Sequence, residues 1–262
     1  MLHLNPTVFV VDPDASVRGS LEAVIRRAGW TPRTFASVGE FLTHPRRMPS
    51  CLVVEVSHLD LAGFDLLRRI AAEREETPVV AVAAGCDISM AVRAFQAGAM
   101  GFLMKPLADD ALLTAVRDAI DRSRVILDRK ADLFELRSRY DSLSGREQEV
   151  MAGVVAGHLN KRIGAALGIS EITVKAHRGK AMRKMGADSV AKLVIMAMRL
   201  ELPSVPTTTD TIVQWRRFLE PRITSPRRHQ TDEVPNALRH RARRRLSRLR
   251  VARSHENATQ TQ

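Results

Sequence analysis

Apolar residues follow two rhythms along this chain. Over roughly the first half they arrive as short unbroken runs, at residues 8–11, 51–56 (interrupted only by Glu55), 79–83 and 100–104, with a weaker run at 31–35. Runs of this length without alternation predict strands covered on both faces. Between them lie stretches with helical spacing. Residues 15–28 place Val17, Leu21, Val24 and Ile25 on one face, behind a cap at Asp14 and before a stop at Gly29. Ser37 and Glu40 form a capping box for a short helix reaching about residue 43, and a loop follows to residue 50. Residues 61–72 carry Phe64, Leu67 and Ile70 on one face, residues 88–97 end at Gly98, and a last helix runs from 109 to about 123. Five strands alternating with five helices predict a parallel sheet with helices on both faces. In the flavodoxin-like strand order 2-1-3-4-5, the switch point lies where strands one and three adjoin. Asp12, Glu55 and Ala83 end strands one, three and four, and Lys105-Pro106 follows strand five.

The second rhythm is helical throughout residues 143–200. Ser144 with Glu147 opens a helix that Gly157 closes. A short helix spans 160–167. Gly168-Ile169-Ser170 makes a tight turn, and Ser170 caps a third helix to about Met185. Gly186 ends that helix, and Ser189 opens a fourth. A three-residue turn between helices is the length a helix-turn-helix requires. Val174, Ala181 and Met185 recur at i, i+7 and i+11 on the third helix and form its core stripe. Lys175, Arg178, Lys180 and Arg183 lie off that stripe, with Lys184 beside them. A charge set of this kind is often only a solvated face. With the tight turn in front and a small core behind, it points to the major groove of DNA. Val190, Leu193, Val194, Ala197 and Met198 line one face of the fourth helix.

Residues 124–142 are mostly strong helix formers and either extend the preceding helix or form a separate linker helix. Val125, Leu127, Leu133, Phe134 and Leu136 there are spaced compatibly with a short dimer contact. Beyond residue 200 the composition changes. Residues 203–210 are rich in Pro and Thr and read as a linker, 212–219 are a candidate short amphipathic helix with Trp215 and Phe218, 221–235 carry the composition of a disordered stretch, and 237–253 are a candidate basic helix. The last 60 residues hold 13 arginines and no lysine. A nonspecific DNA arm, a contact to acidic lipid or RNA, and unselected sequence all fit that segment.

Charge sharpens the division. The formal net charge of +12 splits into −1 for residues 1–125, +5 for 126–202 and +8 for 203–262. A near-neutral first half joined to a basic second half suits a regulatory domain attached to a polyanion binder. A length of 262 residues suggests one to two domains. No apolar run approaches the length of a membrane span, and the N-terminus lacks a signal-peptide pattern, so a cytoplasmic protein is expected. The two cysteines make neither a disulfide framework nor a metal set. Cys51 reads as core. Cys86, in the loop after strand four, is either an inert packed residue or a redox-sensitive one.

The strings GREQEV and EITVKAHRGKAMRKMG resemble the opening and recognition helices of the LuxR-type helix-turn-helix of NarL/FixJ response regulators. Residues 7–122 resemble the receiver domain of the same family. The resemblance implies a receiver at 7–122, a helical linker at 123–138, a four-helix DNA-binding domain at 139–202 and a basic, low-order tail at 203–262. It assigns base-edge contacts to Lys175, Ala176 and Gly179, and phosphate contacts to Arg178, Lys180 and the helix termini, with Arg183 and Lys184 counted among the DNA-binding residues. Gly179 departs from the pattern, because glycine offers no side chain to a base. In the receiver, the family uses an acidic pair for Mg²⁺, a phosphoacceptor aspartate, a Thr/Ser and a Lys. Here those positions are Asp12 with Pro13, Glu55, Ala83 and Lys105, and Phe102 takes the place of the aromatic switch. Only Asp12 and Lys105 keep the expected chemistry. A structural ion cluster of Asp12, Glu55 and Lys105 is therefore expected, with a Glu55–Lys105 pair imitating the phosphorylated state. Mg²⁺ would be held weakly at most. The expected function is a transcriptional regulator, not an enzyme, acting on double-stranded promoter DNA as a homodimer without need of phosphorylation. The alternative is a functional phosphoacceptor served by a sensor histidine kinase. RNA polymerase is a further expected partner, and a membrane is not. A protein-interaction module whose tail binds RNA or lipid is a third class.

Overall fold

A computed structural model describes residues 5–44, 49–85 and 88–202. The expectations for Cys86 and for the segment 203–262 lie outside the described residues. The chain divides into two compact units at Arg129/Lys130.

The first unit is built on five parallel strands, β1 (Thr7–Val11), β2 (Thr31–Phe35), β3 (Ser50–Glu55), β4 (Val79–Ala83) and β5 (Ala99–Met104). Their spatial order is β2-β1-β3-β4-β5. The unbroken apolar runs are explained by side chains that alternate between two separate cores. Phe9, Val11, Leu52, Val54, Val79 and Ala81 pack on one face with α2 (Val38–Thr43), α3 (Leu61–Glu73) and α4 (Ile88–Gln96). Val8, Val10, Cys51, Val53, Val80 and Val82 pack on the other with α1 (Ala15–Arg27) and the first turns of α5 (Asp109–Asp141). Cys51 is fully buried, and burial pushes its thiol pKa well up, which keeps it protonated. Asp14 caps α1 by accepting from Ser16 N and Val17 N, and the peptide before Pro106 is cis.

Of the two readings of residues 124–142, the structure takes the extension of the last helix of this unit past residue 123. It continues as a single helix, α5, to Asp141. Residues 124–141 contain neither Gly nor Pro, so nothing in the backbone stops a helix already started.

The second unit gathers the C-terminal turns of α5 with α6 (Gly145–Val155), α7 (Asn160–Leu167), α8 (Glu171–Met185) and α9 (Val190–Arg199). Leu136, Tyr140, Val150, Met151, Val154, Ile163, Val174, Ala181, Met185 and Leu193 form its core. α6, α8 and α9 each start on a serine side-chain cap. Ser144 and Glu147 make a reciprocal capping box, Ser170 accepts from Thr173 N, and Ser189 accepts from Lys192 N. Gly168 and Gly186 take left-handed φ values of 66° and 73° to end α7 and α8.

Candidate functional site

At the carboxyl end of the sheet, Asp12 is buried and both of its carboxylate oxygens are engaged. Lys105 Nζ donates to Oδ2 at 2.7 Å, and Asp14 N donates to Oδ1 at 2.9 Å. Arg18 Nη1 closes the loop from outside, donating to the carbonyls of Asp12 (2.6 Å) and Pro13 (3.0 Å). Glu55, buried at the end of β3, turns back on its own loop: Oε1 accepts from Ser57 N at 2.9 Å. Ser57 Oγ in turn accepts from Ala84 N at 2.6 Å, which ties the β3 and β4 loops together. Ala83 offers only a buried methyl group. Phe102 is half-buried against the core of its face.

The expected Glu55–Lys105 pair is therefore not formed. Lys105 pairs with Asp12 instead. The extra methylene of Glu55 lets its carboxylate fold onto the amide two residues ahead, where it is satisfied without an ion partner. Of the expected cluster, the structure brings Asp12 and Lys105 together and leaves Glu55 out. Ser57 and Arg18, which the sequence pattern did not single out, complete the surroundings. Pro13 contributes no side-chain oxygen, and among the described residues no group of three or more His, Cys, Asp or Glu side chains is placed to hold a metal. With both Asp12 oxygens already engaged and no ligand atom on Pro13, the site offers few free oxygens to Mg²⁺, which wants a near-octahedral set.

In the second unit, α7 and α8 meet across Gly168-Ile169-Ser170. The turn is tight enough that a Cβ on Gly164 would lie 2.7 Å from Ile169 O. Asn160 Oδ1 accepts from Arg178 Nη1 at 3.4 Å, joining the start of α7 to the middle of α8. Val174, Ala181 and Met185 are buried as their spacing predicts. The opposite pole of α8 carries Ile172, Ala176, Gly179 and Arg183, at i, i+4, i+7 and i+11, all exposed. Lys175 flanks this pole and pairs with Glu171 at 3.1 Å, one turn back. Lys180 and Arg183 are exposed and have no acidic partner among the described residues.

Lys184, expected among the DNA-binding residues, is engaged within the domain. Its Nζ donates to Glu147 Oε2 at 2.6 Å and to Ser142 O at 3.1 Å, so it staples α8 to the start of α6. Glu147 is 4% exposed, and the hydrogen bond from Lys184 holds its carboxyl below the ordinary glutamate value. On α9, Leu193 and Ala197 are buried, while Ile195 (58%) and Met198 (71%) stand exposed.

The family model for "Response regulator receiver domain" matches residues 8–117, and that for "Bacterial regulatory proteins, luxR family" matches residues 141–197. The response regulator protein TmoT of Ectopseudomonas mendocina is 36% identical over 76% of this chain and 92% of its own length. Nodulation protein W of Bradyrhizobium diazoefficiens is 40% identical over 74% of this chain and 86% of its own length. Among solved structures, the response regulator StyR is 38% identical with a TM-score of 0.64, covering 74% of this chain and 99% of that one.

Proposed function

The chain belongs to the FixJ-type response regulators, which join a receiver domain to a LuxR-type helix-turn-helix, and from that premise we propose that it regulates transcription without needing an aspartyl phosphate. One observation carries this reading. The residue closing β3 is a glutamate already bonded to Ser57 N, while Lys105 is already paired with Asp12. A phosphoryl group would need a free acceptor carboxylate, a cation to neutralise the transferred charge and a hydroxyl at the end of β4, and Ala83 stands at that last position. With the lysine held by Asp12, the site is closed in its resting state. Residues 7–122 and 139–202 are on this reading a receiver-like scaffold and an output domain, and the tail 203–262 is a basic arm that adds affinity without sequence preference.

The output domain contacts double-stranded promoter DNA through α8. Lys175 reads a base edge, and Lys180, Arg183 and Arg178 neutralise phosphates. Two copies bind together, with the exposed Ile195 and Met198 of α9 as the surface between them. The test combines two measurements on the full chain. Incubation with acetyl phosphate and Mg²⁺ should produce no mass gain, and Lys175→Ala should reduce discrimination between a selected operator and random DNA. A stable phosphorylated species would overturn phosphorylation independence and favour the phosphoacceptor alternative, with a sensor histidine kinase as its partner. Full discrimination in Lys175→Ala would remove that lysine from base reading.

A further inference from the structure

Ile172 is 79% exposed, more than any other large apolar side chain among the described residues. Single exposed apolar residues are ordinary on protein surfaces. Three features set this one apart. It stands in the first turn of α8, the end of a recognition helix that approaches base edges most closely. It lies on the pole opposite the buried Val174, Ala181 and Met185, in line with Ala176 and Gly179. It is also held in place: Ser170 Oγ accepts from Thr173 N at 3.1 Å and bonds the Thr173 hydroxyl at 2.8 Å, which fixes the turn that carries it.

We infer that Ile172 reads the 5-methyl group of a thymine in each operator half-site. The inference rests on α8 being the DNA-reading helix. The thymine methyl is the one apolar feature that a base presents in the major groove, and apolar side chains recognise it by contact. A β-branched side chain on a helix is nearly confined to one χ1 rotamer, so little freedom is lost when it docks. Further along the same pole, Ala176 is short and Gly179 has no side chain; a Cβ at Gly179 would meet only open space. The middle of the helix is therefore smooth, which lets its axis sit close to the groove floor and brings the first turn within reach of a methyl group. Discrimination shifts from the position of Gly179 to that of Ile172.

The full-length protein is first used to select its sites from randomised duplexes. Each thymine of the selected duplex is then replaced in turn by deoxyuridine, which removes only the methyl group. One thymine in each half-site should show a loss of about fourfold, the ratio expected for one buried methyl. In Ile172→Ala that step should vanish while the discrimination that depends on Lys175 persists. A uridine scan that is flat for the parent, a selected site without thymine, or an equal uridine penalty in Ile172→Ala would each overturn the inference. If the protein selects no sequence at all, the DNA-reading assignment of α8 falls with it. If Ile172→Ala binds every duplex like the parent, the exposed isoleucine serves a protein partner instead.

Discussion

Lys184→Met tests whether the lysine at the end of α8 holds the output domain together or touches DNA. The substitution keeps the length of the side chain and removes the Nζ that bonds Glu147 at 2.6 Å and Ser142 O at 3.1 Å. Removing one partner of a fully buried pair costs about 3–5 kcal/mol. Here the Lys184 side chain is 40% exposed, and Glu147 keeps its bond from Ser144 N at 2.9 Å, so the cost falls at the low end or below, about 2 kcal/mol. For a domain this small, that lowers the melting temperature by about 8–16 °C. Glu147→Gln removes the charge but keeps a side chain able to complete the capping box, so it should cost less. The pH dependence has a definite sign. The folded carboxyl of Glu147 is held below its ordinary value, so its contribution is present above the unfolded value of about 4.3 and is lost as pH falls through the folded one. Calorimetry of the full chain between pH 3 and 7 should show that acid step in the parent and a flattened one in Glu147→Gln. Below its melting transition, Lys184→Met should bind DNA with the parent's salt slope. An unchanged melting temperature, together with a slope reduced by about one unit, would refute the staple and return Lys184 to the phosphate backbone.

Three further expectations follow from the same geometry. Gly164→Ala puts a Cβ 2.7 Å from Ile169 O, so the turn must open, and both thermal stability and DNA binding should fall, while Gly179→Ala, facing open space, should stabilise the domain by about 1 kcal/mol in a melting experiment. Lys105→Met strands the buried Asp12 carboxylate and should destabilise the first unit by about 2–3 kcal/mol in calorimetry, while leaving operator affinity unchanged if that unit no longer switches. Lys192→Glu, which loses the ion pair to Asp188 on the exposed face of α9, should leave folding intact and weaken occupancy of paired half-sites in footprints.

The doubly wound sheet was legible because both of its faces are covered. Residues 8–11 and 79–83 are apolar at every position, and each neighbour in the run belongs to the opposite core. The helix starts were legible because Asp14, Ser37, Ser144, Ser170 and Ser189 act through bonds only two or three residues long. Whether residues 124–142 extend α5 or form a separate helix was not, since a run of helix formers carries no signal of where one helix ends and another begins. Which acid takes which lysine was also out of reach. Lys105 chooses Asp12 across 93 residues and Lys184 chooses Glu147 across 37, and periodicity says nothing about distances of that kind. The exposure of Ile172 was out of reach in the same way. Next but one to the buried Val174, it is one more apolar residue in the sequence, and only its place on the helix surface separates it from a core residue.

The arrangement of α8 also bears on how many copies must bind. A good base contact discriminates by about 1–3 kcal/mol, and a specific complex exceeds a nonspecific one by about 4–10 kcal/mol. With Gly179 unable to contact a base and Ala176 short, α8 offers Lys175 and Ile172 as its readers. The isoleucine, gaining one methyl contact, contributes toward the lower end of that range. Two such contacts fall at or below the minimum for specificity in a single half-site, whereas two half-sites double the total. The exposed lysine and arginines cannot make up the difference, because phosphate contacts strengthen binding to every sequence alike. On the proposed reading, this helix needs a second copy to find its operator, and Ile195 and Met198 on α9 supply the exposed apolar surface on which that copy can dock.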